Sequence, residues 1–349
     1  MMFLLKVIFL KIDWKNVYNE IRITKISSDA YKLAKKYGYL PYMIERYLKL
    51  FGYDETIELL ESFEKKVKPV IRCNDLLVNC KWLINRLENL GFHLEYLPWS
   101  IHGYRLIRQP QRPSIGATHE YLKGYYYVHR DAAPLIPALL LVERGEKTEV
   151  LDGCAAPGGK ATHIAQLMLG EGLVIANDLV LYRIKALIGH VLRMGFKNII
   201  VTWSDLRKFP RLVNKKFKKV LLDVPCSAEG TIMLDPSRKR KTSQKDLARI
   251  VAREIELLEA GIELLDNNGL LVYTTCSIAP EENEYVVSKI IEKYEDIELV
   301  EPSKKLFEWS NGITSYKNII EDEELRKCIR IYPHKHNMIG MTICLLKKD

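Results

Sequence analysis

Between Ser28 and Lys66 the apolar and polar positions read as three short helices in succession: SDAYKLAKKYGYL, PYMIERYLKLFG and YDETIELLESFEKK. Ser28 or Asp29 can cap the first, and Pro41 suits the first turn of the second. Next, PVIRCN reads as a strand, CKWLINRLENLG as an amphipathic helix ended by Gly91, and FHLEYLPW and YRLIRQ as further strands. This βαββ-like unit has the size of a small RNA-binding module but lacks its aromatic run; a structural appendage is the alternative.

From about Thr148 the pattern changes. Short apolar runs, TEVLD, GLVIAND, KNIIVTWSD, KKVLLDVP and GLLVYTTC, are strands. Between them stand helical stretches beginning GGKATHIAQLM, VLYRIKALIGHVLRMG and SQKDLARIVAREIELLEAGIELL. Strands alternating with helices imply an α/β fold, a doubly wound and mostly parallel sheet. Ligands of such sheets bind beyond the carboxyl ends of the strands.

Composition narrows the partners. The chain of 349 residues carries 53 Lys and Arg against 44 Asp and Glu, a surplus that favours an anionic partner such as nucleic acid. The opening MMFLLKVIFLKI is apolar but interrupted by Lys6, lacks a small-residue cleavage site, and falls short of the roughly 20 apolar residues a bilayer span requires. A packed N-terminal strand or helix is expected there. Seven cysteines without a CxxC pair predict neither a disulfide scaffold nor a zinc site, and reduced thiols in an intracellular, cytoplasmic setting fit this usage.

The first strand of the larger sheet runs into LDGCAAPGGK, where Gly158 and Gly159 permit a tight turn into a helix whose first N–H groups face the ligand. Neither GxGxxG nor a Walker sequence is present. Asp178, closing the second strand, stands where a ribose diol would be gripped, and Asp205, closing the third, where an adenine amino group would be met. The set suits an adenosyl cofactor. Two further strands stop just short of Cys226, in LLDVPCSAEGT, and at Cys276, in LLVYTTCSIAPEEN, each thiol followed by serine. A buried cysteine is most often a small inert hydrophobe. Two at the chemical edge of an α/β sheet, with Asp223 three residues before one and Lys160 able to supply a positive field, make a nucleophile set. Cytosine C5 is too weak a nucleophile to take a methyl group unaided. A thiolate adding at C6 makes the ring an enamine, an acid at N3 eases that addition, and a base must then remove the C5 proton.

At these residues the chain resembles the Sun/Nop family of RNA cytosine-5 methyltransferases, which use S-adenosylmethionine. DGCAAPGGK is similar to the family's first cofactor loop, DVPCSAEGT to its fourth motif and TTCSIAPEENE to its sixth. GYYYVHRDAAPLIPALLL resembles the lead-in, and RIYPHKHNMIGMTICLLKK the closing hairpin. The likeness spans Pro69 to the C-terminus and is nearest to archaeal, transfer-RNA-directed members, whose helical start this chain also shares. It implies a Rossmann-like class I methyltransferase sheet over 125–349, an N-terminal helical segment over 1–68 and a small α+β RNA-recognition-like domain over 69–124. By the same resemblance Cys276 is the C6 nucleophile, Cys226 assists proton removal and product release, Asp223 engages N3, and Lys160 contacts the base. Cys154, Ala155, Ala156, Pro157, Gly158, Gly159 and Lys160, with Asp178, Arg183, Asp205 and Asp223, would hold the cofactor.

The chain departs from the family at several points. Ala228 stands where glycine is common, Ala161 where threonine follows the lysine, and His129 and Arg130 where glutamine is usual; MIGMTI replaces a glycine followed by aromatics. Arg105 to Arg112, Asn214 to Lys219 and above all Ser237 to Lys241 are candidate phosphate contacts; a solvated charged loop is the alternative for the last and the preferred reading of the first two. His334 and His336 are spaced for a strand face and are expected to be structural or phosphate-facing. The expected partner is RNA, transfer RNA before ribosomal RNA, with neither a membrane nor an obligate protein partner implied. The alternatives are a ribosomal RNA enzyme, a DNA cytosine-5 methyltransferase, and a non-catalytic RNA-binding assembly factor that keeps the cofactor fold.

Overall fold

The computed structural model describes residues 12–349, so all but the last residue of MMFLLKVIFLKI lies outside the described residues. A helix at Trp14–Ile21, opened by Asp13 accepting from the Lys15 amide, precedes the expected ones. The helix Ser28–Tyr37 is capped by Ser27, one residue before the expected cap. The two helical stretches after it form one helix, Pro41–Ser62, broken at Gly52.

Strands β1 (Val70–Cys73), β2 (His93–Tyr96), β3 (Gly103–Arg108) and β4 (Tyr126–His129) form an antiparallel sheet in the order β2-β3-β1-β4. The expected boundary at residue 124 falls inside this unit, because the free edge of β1 pairs with β4. Strands β5 (Glu149–Asp152), β6 (Leu173–Asp178), β7 (Ile199–Trp203), β8 (Phe217–Asp223) and β9 (Leu265–Thr275) are parallel, in the order β9-β8-β5-β6-β7. Strand β10 (Ile297–Leu299) and strand β11 (Ser310–Asn311) follow, then a ribbon of β12 (Ser315–Tyr316) with β13 (Ile320–Glu321). The hairpin strands β14 (Ile329–Ile331) and β15 (Met341–Lys348) attach antiparallel to β9, with β10 and β11 joining them. The fold is the Rossmann-like α/β sheet expected.

Parallel strands covered on both faces read as continuous apolar runs, and neighbouring residues divide between two cores. Leu151, Val220, Leu222 and Leu271 share a cluster with Val251, Ile255 and Leu258 of the helix Gln244–Leu264. Val150, Leu221 and Val272 face Ala161 and Ile164 of the helix Gly159–Leu167. Ile21, Tyr47 and Leu59 of the N-terminal helices belong to the first cluster. Those helices are thus packed into the sheet's own core.

Two sequence expectations are corrected. Reduced cysteines were expected throughout, but Cys73 pairs with Cys80 and Cys328 with Cys344 in disulfides, leaving Cys154, Cys226 and Cys276 free. The physical cause is proximity that spacing does not reveal: a short turn returns the helix Cys80–Asn89 to the end of β1, and Cys328 enters β14 beside Cys344 on β15. His334 and His336 lie in a helical turn, Pro333–His336, that bridges the hairpin rather than on a strand face. No described helix is long and apolar enough to cross a membrane, and the described residues hold no metal-ligand cluster.

Candidate active site

Register brings the chemistry together. Asp152 aligns with Ala176 and Leu221, Asp178 with Trp203, and Asp223 with Thr274, so the loops that follow leave from one edge of the sheet. After β5 the chain turns at Gly158, whose φ of 107° is left-handed. A Cβ there would lie 2.8 Å from Leu187 Cδ1. Asp178 clamps this loop, accepting from the Ala156 amide at 3.1 Å and the Val180 amide at 2.9 Å. Arg183 pairs with Asp178 and donates to the Ala156 carbonyl. Asp205 accepts from Arg207 Nε at 2.9 Å and Nη2 at 2.7 Å, and these bonds hold its carboxyl below the ordinary range. Cys154, Asp178, Arg183 and Asp205 all line a cavity of about 160 Å³.

A second cavity, of about 480 Å³, is lined by Asp152, Lys160, Asp223 and Cys276 among others, and Cys154 lies on the wall of both. Lys160 Nζ donates to Asp223 Oδ2 at 2.6 Å, so its charge is directed at that carboxylate. Cys226 Sγ stands 3.2 Å from Cys276 Sγ. The contact with Cys276, and after it burial, pushes the Cys226 thiol well up. Burial likewise pushes up the Cys154 thiol. His129, in the VHRD segment, lines the cavity; burial holds its pKa well below the usual imidazole value.

Sequence reasoning missed Asp152. Its side chain is fully buried at the cavity wall; no described side chain hydrogen-bonds its carboxylate, and the Cys154 amide beside it only partly offsets the burial. Burial, then the charge of Asp223, lifts its carboxyl from 3.8 to about 8. Its place at the end of β5 was legible, but not its isolation.

The serines that follow the two thiols have a shared purpose. Glu282 accepts from the Ser227 amide at 2.5 Å and from Ser227 Oγ at 2.6 Å, and Ser277 Oγ donates to the same carboxylate. One buried side chain therefore fastens both cysteine loops. Burial raises its pKa, and it lies beside Glu254, another fully buried carboxyl raised chiefly by burial. Arg46, from the N-terminal helix, bridges Glu229 and Glu281, one acid from each loop. Arg330 pairs with Glu284 and donates to the Ile278 carbonyl at 2.9 Å. None of these pairs follows a local spacing, so nothing in the sequence signals them.

The closing hairpin also reaches the site. The Gly340 amide donates to the Gly230 carbonyl at 2.8 Å, and the Gly230 amide to the Cys276 carbonyl at 2.9 Å. A Cβ on Gly230 would stand 2.1 Å from the Gly340 oxygen, so this crossing requires glycine. Ile339 and Met341 of MIGMTI line the larger cavity.

The basic stretches divide between the site and structural pairing. Within Ser237 to Lys241, Arg238 pairs with Asp235, donates to the Ser227 carbonyl and lines the larger cavity. Lys239 pairs with Glu64, and Arg240 donates to the Gly38 carbonyl. These two side chains brace the N-terminal helices instead of standing free for phosphate. In the second stretch Lys215, Lys218 and Lys219 pair with Glu149, Asp266 and Glu146. Arg105 of the first stretch lines a separate cavity.

Comparison with known proteins bears on the family. The family model described as 16S rRNA methyltransferase RsmB/F matches residues 138–347. The chain is 38% identical over 321 residues to the 28S rRNA (cytosine-C(5))-methyltransferase of Mus musculus, covering 90% of this chain and 40% of that protein. It is 35% identical over 317 residues to the 25S rRNA (cytosine-C(5))-methyltransferase nop2 of Schizosaccharomyces pombe, covering 89% and 51% respectively. It thus spans about half or less of the length of these curated relatives. Among solved structures it is similar to a methyltransferase homolog from Pyrococcus horikoshii, at 31% identity and a TM-score of 0.81, covering 93% of this chain and all of that one.

Proposed function

This chain belongs to the RsmB/F family of methyltransferases, the Sun/Nop family it resembles in sequence, and from that premise we propose that it methylates C5 of cytosine in RNA. The observation that carries the reading is the pair of sulfurs 3.2 Å apart, with Cys276 on the wall of the cavity that also holds the Lys160–Asp223 pair.

The residues fit S-adenosylmethionine, which supplies a methyl group carried on a sulfonium. The Asp178 and Asp205 side chains suit the ribose and adenine end, in the smaller cavity. Asp152, buried with no side-chain hydrogen bond among the described residues, suits the methionyl ammonium. Cys154 to Gly159 form the loop between them, with Arg183 bracing it.

In this reading the target base leaves its stack to enter the larger cavity. Cys276 Sγ forms a bond to C6, and the electron pair moves toward N3, where the Lys160–Asp223 pair provides the hydrogen bond. C5 would then take the methyl group that the bound sulfonium supplies, the methyl–sulfur bond breaking as a neutral thioether is released. Cys226 assists removal of the C5 proton, and the Cys276–C6 bond breaks as the aromatic ring reforms. Both thiols are needed, for separate halves of the cycle.

The substrate RNA has two readings. Transfer RNA is the expectation from sequence, while ribosomal RNA is supported by the activities for which the Mus musculus and Schizosaccharomyces pombe relatives are named. The intact nucleophile set supports an enzyme over a non-catalytic assembly factor. With RNA and S-adenosylmethionine, Cys276→Ala is expected to abolish 5-methylcytosine formation, and Cys226→Ala to accumulate a denaturant-resistant protein–RNA adduct. Full activity of the first variant would overturn the reading. Bisulfite sequencing of cellular transfer and ribosomal RNA, with and without the gene, separates the two substrates.

A further inference from the structure

A cavity of about 220 Å³ lies beside the cysteine cavity, and cations dominate its charged lining. Lys65, Lys66 and Lys68 come from the segment joining the helix Pro41–Ser62 to β1, and Arg105 from β3. None of the four makes a side-chain hydrogen bond or ion pair with any described residue, although Lys239 and Glu64 beside them are paired with each other. Asp131 is the one carboxylate on this wall. Its Oδ1 accepts from the Ala133 amide at 2.9 Å and the Ile339 amide at 3.1 Å, and burial raises its pKa. His334 completes the lining, with its Nε2 on Glu55 at 3.0 Å and its Nδ1 buried and unpartnered among the described residues.

A thin partition separates this cavity from the site. Along it neighbouring residues face opposite ways: Asp131 and Arg130, Met233 and Leu234, Met338 and Ile339 line the basic cavity and the cysteine cavity in turn. Three exposed lysines without ion pairs at a concave surface, beside an arginine whose charge also acts on Asp131, favour an anion, lysine as a point charge and arginine as a planar fork. An RNA strand whose target base enters the cysteine cavity puts its neighbouring phosphates at the rim of that cavity, part of which is this partition.

We propose that the basic cavity of Lys65, Lys66, Lys68 and Arg105 binds the phosphodiester backbone of the substrate RNA next to the nucleotide being methylated. The inference rests on the RNA methyltransferase reading. It assigns RNA positioning to the junction of the N-terminal helices and the small sheet, joining Lys65, Lys66 and Lys68 to Arg105 of a stretch the sequence offered, where Ser237 to Lys241 was the one most expected near the substrate.

The test uses the full chain. Binding of in vitro transcribed transfer RNA and of ribosomal RNA fragments is measured across a salt series for the wild type, the triple variant Lys65→Ala/Lys66→Ala/Lys68→Ala, and Arg105→Gln. Each phosphate that is no longer neutralised lowers the slope of log affinity against log salt by about 0.7 on a single strand, and the triple variant is expected to bind roughly tenfold more weakly at low salt. Its KM for RNA should rise with kcat unchanged at saturation, and the Lys→Arg triple variant should restore affinity. Binding of S-adenosylhomocysteine, followed by calorimetry, reports that the variants are folded. Wild-type affinity and slope in the Ala variants would overturn the inference. So would loss of inorganic phosphate binding in those variants, by equilibrium dialysis, with RNA binding unaltered, since that marks a small-anion site. If the wild type itself binds S-adenosylhomocysteine yet neither binds nor methylates RNA, the functional reading fails instead.

Discussion

Asp152 is a carboxyl whose folded pKa of about 8 exceeds its ordinary 3.8. Between those values the folded chain holds a proton that the unfolded chain has released, so this group makes the fold less stable as pH rises through that window. If a cofactor ammonium partners it, binding must expel the proton. Affinity for S-adenosylhomocysteine should then rise by up to about tenfold per pH unit until near pH 8. Calorimetry should show a flat profile for Asp152→Asn; an unchanged slope would remove the assignment. Ala228 holds a left-handed backbone, φ 59° and ψ 31°, at the position where glycine is common in the family. Relief of that strain, less the entropy a glycine adds to the unfolded chain, should make Ala228→Gly more stable by about 0.5–1 kcal/mol in urea titrations. The departure was visible in the sequence, but not the backbone angle that gives it a cost.

At the scale of elements, the strands and helices of the sheet were legible because burial on both faces writes unbroken apolar runs into β5 to β9. The loops at their ends were legible as motifs. What holds those loops was not. Glu282 ties Ser227 to Ser277 across 50 residues, and its value lies in the spacing it sets between two thiols. Glu282→Gln keeps the shape but exchanges an acceptor oxygen for a donor. Displacing a reacting group by about 1 Å costs roughly 10²-fold in rate, so kcat should fall by about that factor. Binding of S-adenosylhomocysteine should stay within twofold of wild type; an unaltered kcat would show that the loops hold their place without this carboxylate.

For the molecule as a whole, Arg46 joins the N-terminal helices to the catalytic loops. Its side chain and those of Glu229 and Glu281 are almost wholly buried, at 0%, 3% and 1% exposure. Arg46→Ala leaves two uncompensated carboxylates and should cost about 3–5 kcal/mol in a denaturant titration. Arg46→Lys should recover only part of this, since one ammonium cannot span both acids as the planar fork does. A loss below about 1 kcal/mol, the scale of an exposed pair, would mean the helices are not so anchored. The sequence by itself determined the sheet, the cysteine loops and the cofactor turn, because periodicity and motif spacing are local properties of the chain. The tertiary structure alone decided which cysteines remain free, which carboxylates lose their water, and that Lys239 and Arg240 brace the N-terminal helices while Lys65, Lys66 and Lys68 have no ion pair among the described residues. Each of these depends on residues tens to hundreds of positions apart meeting in a medium that screens charge poorly, and no local pattern encodes that encounter.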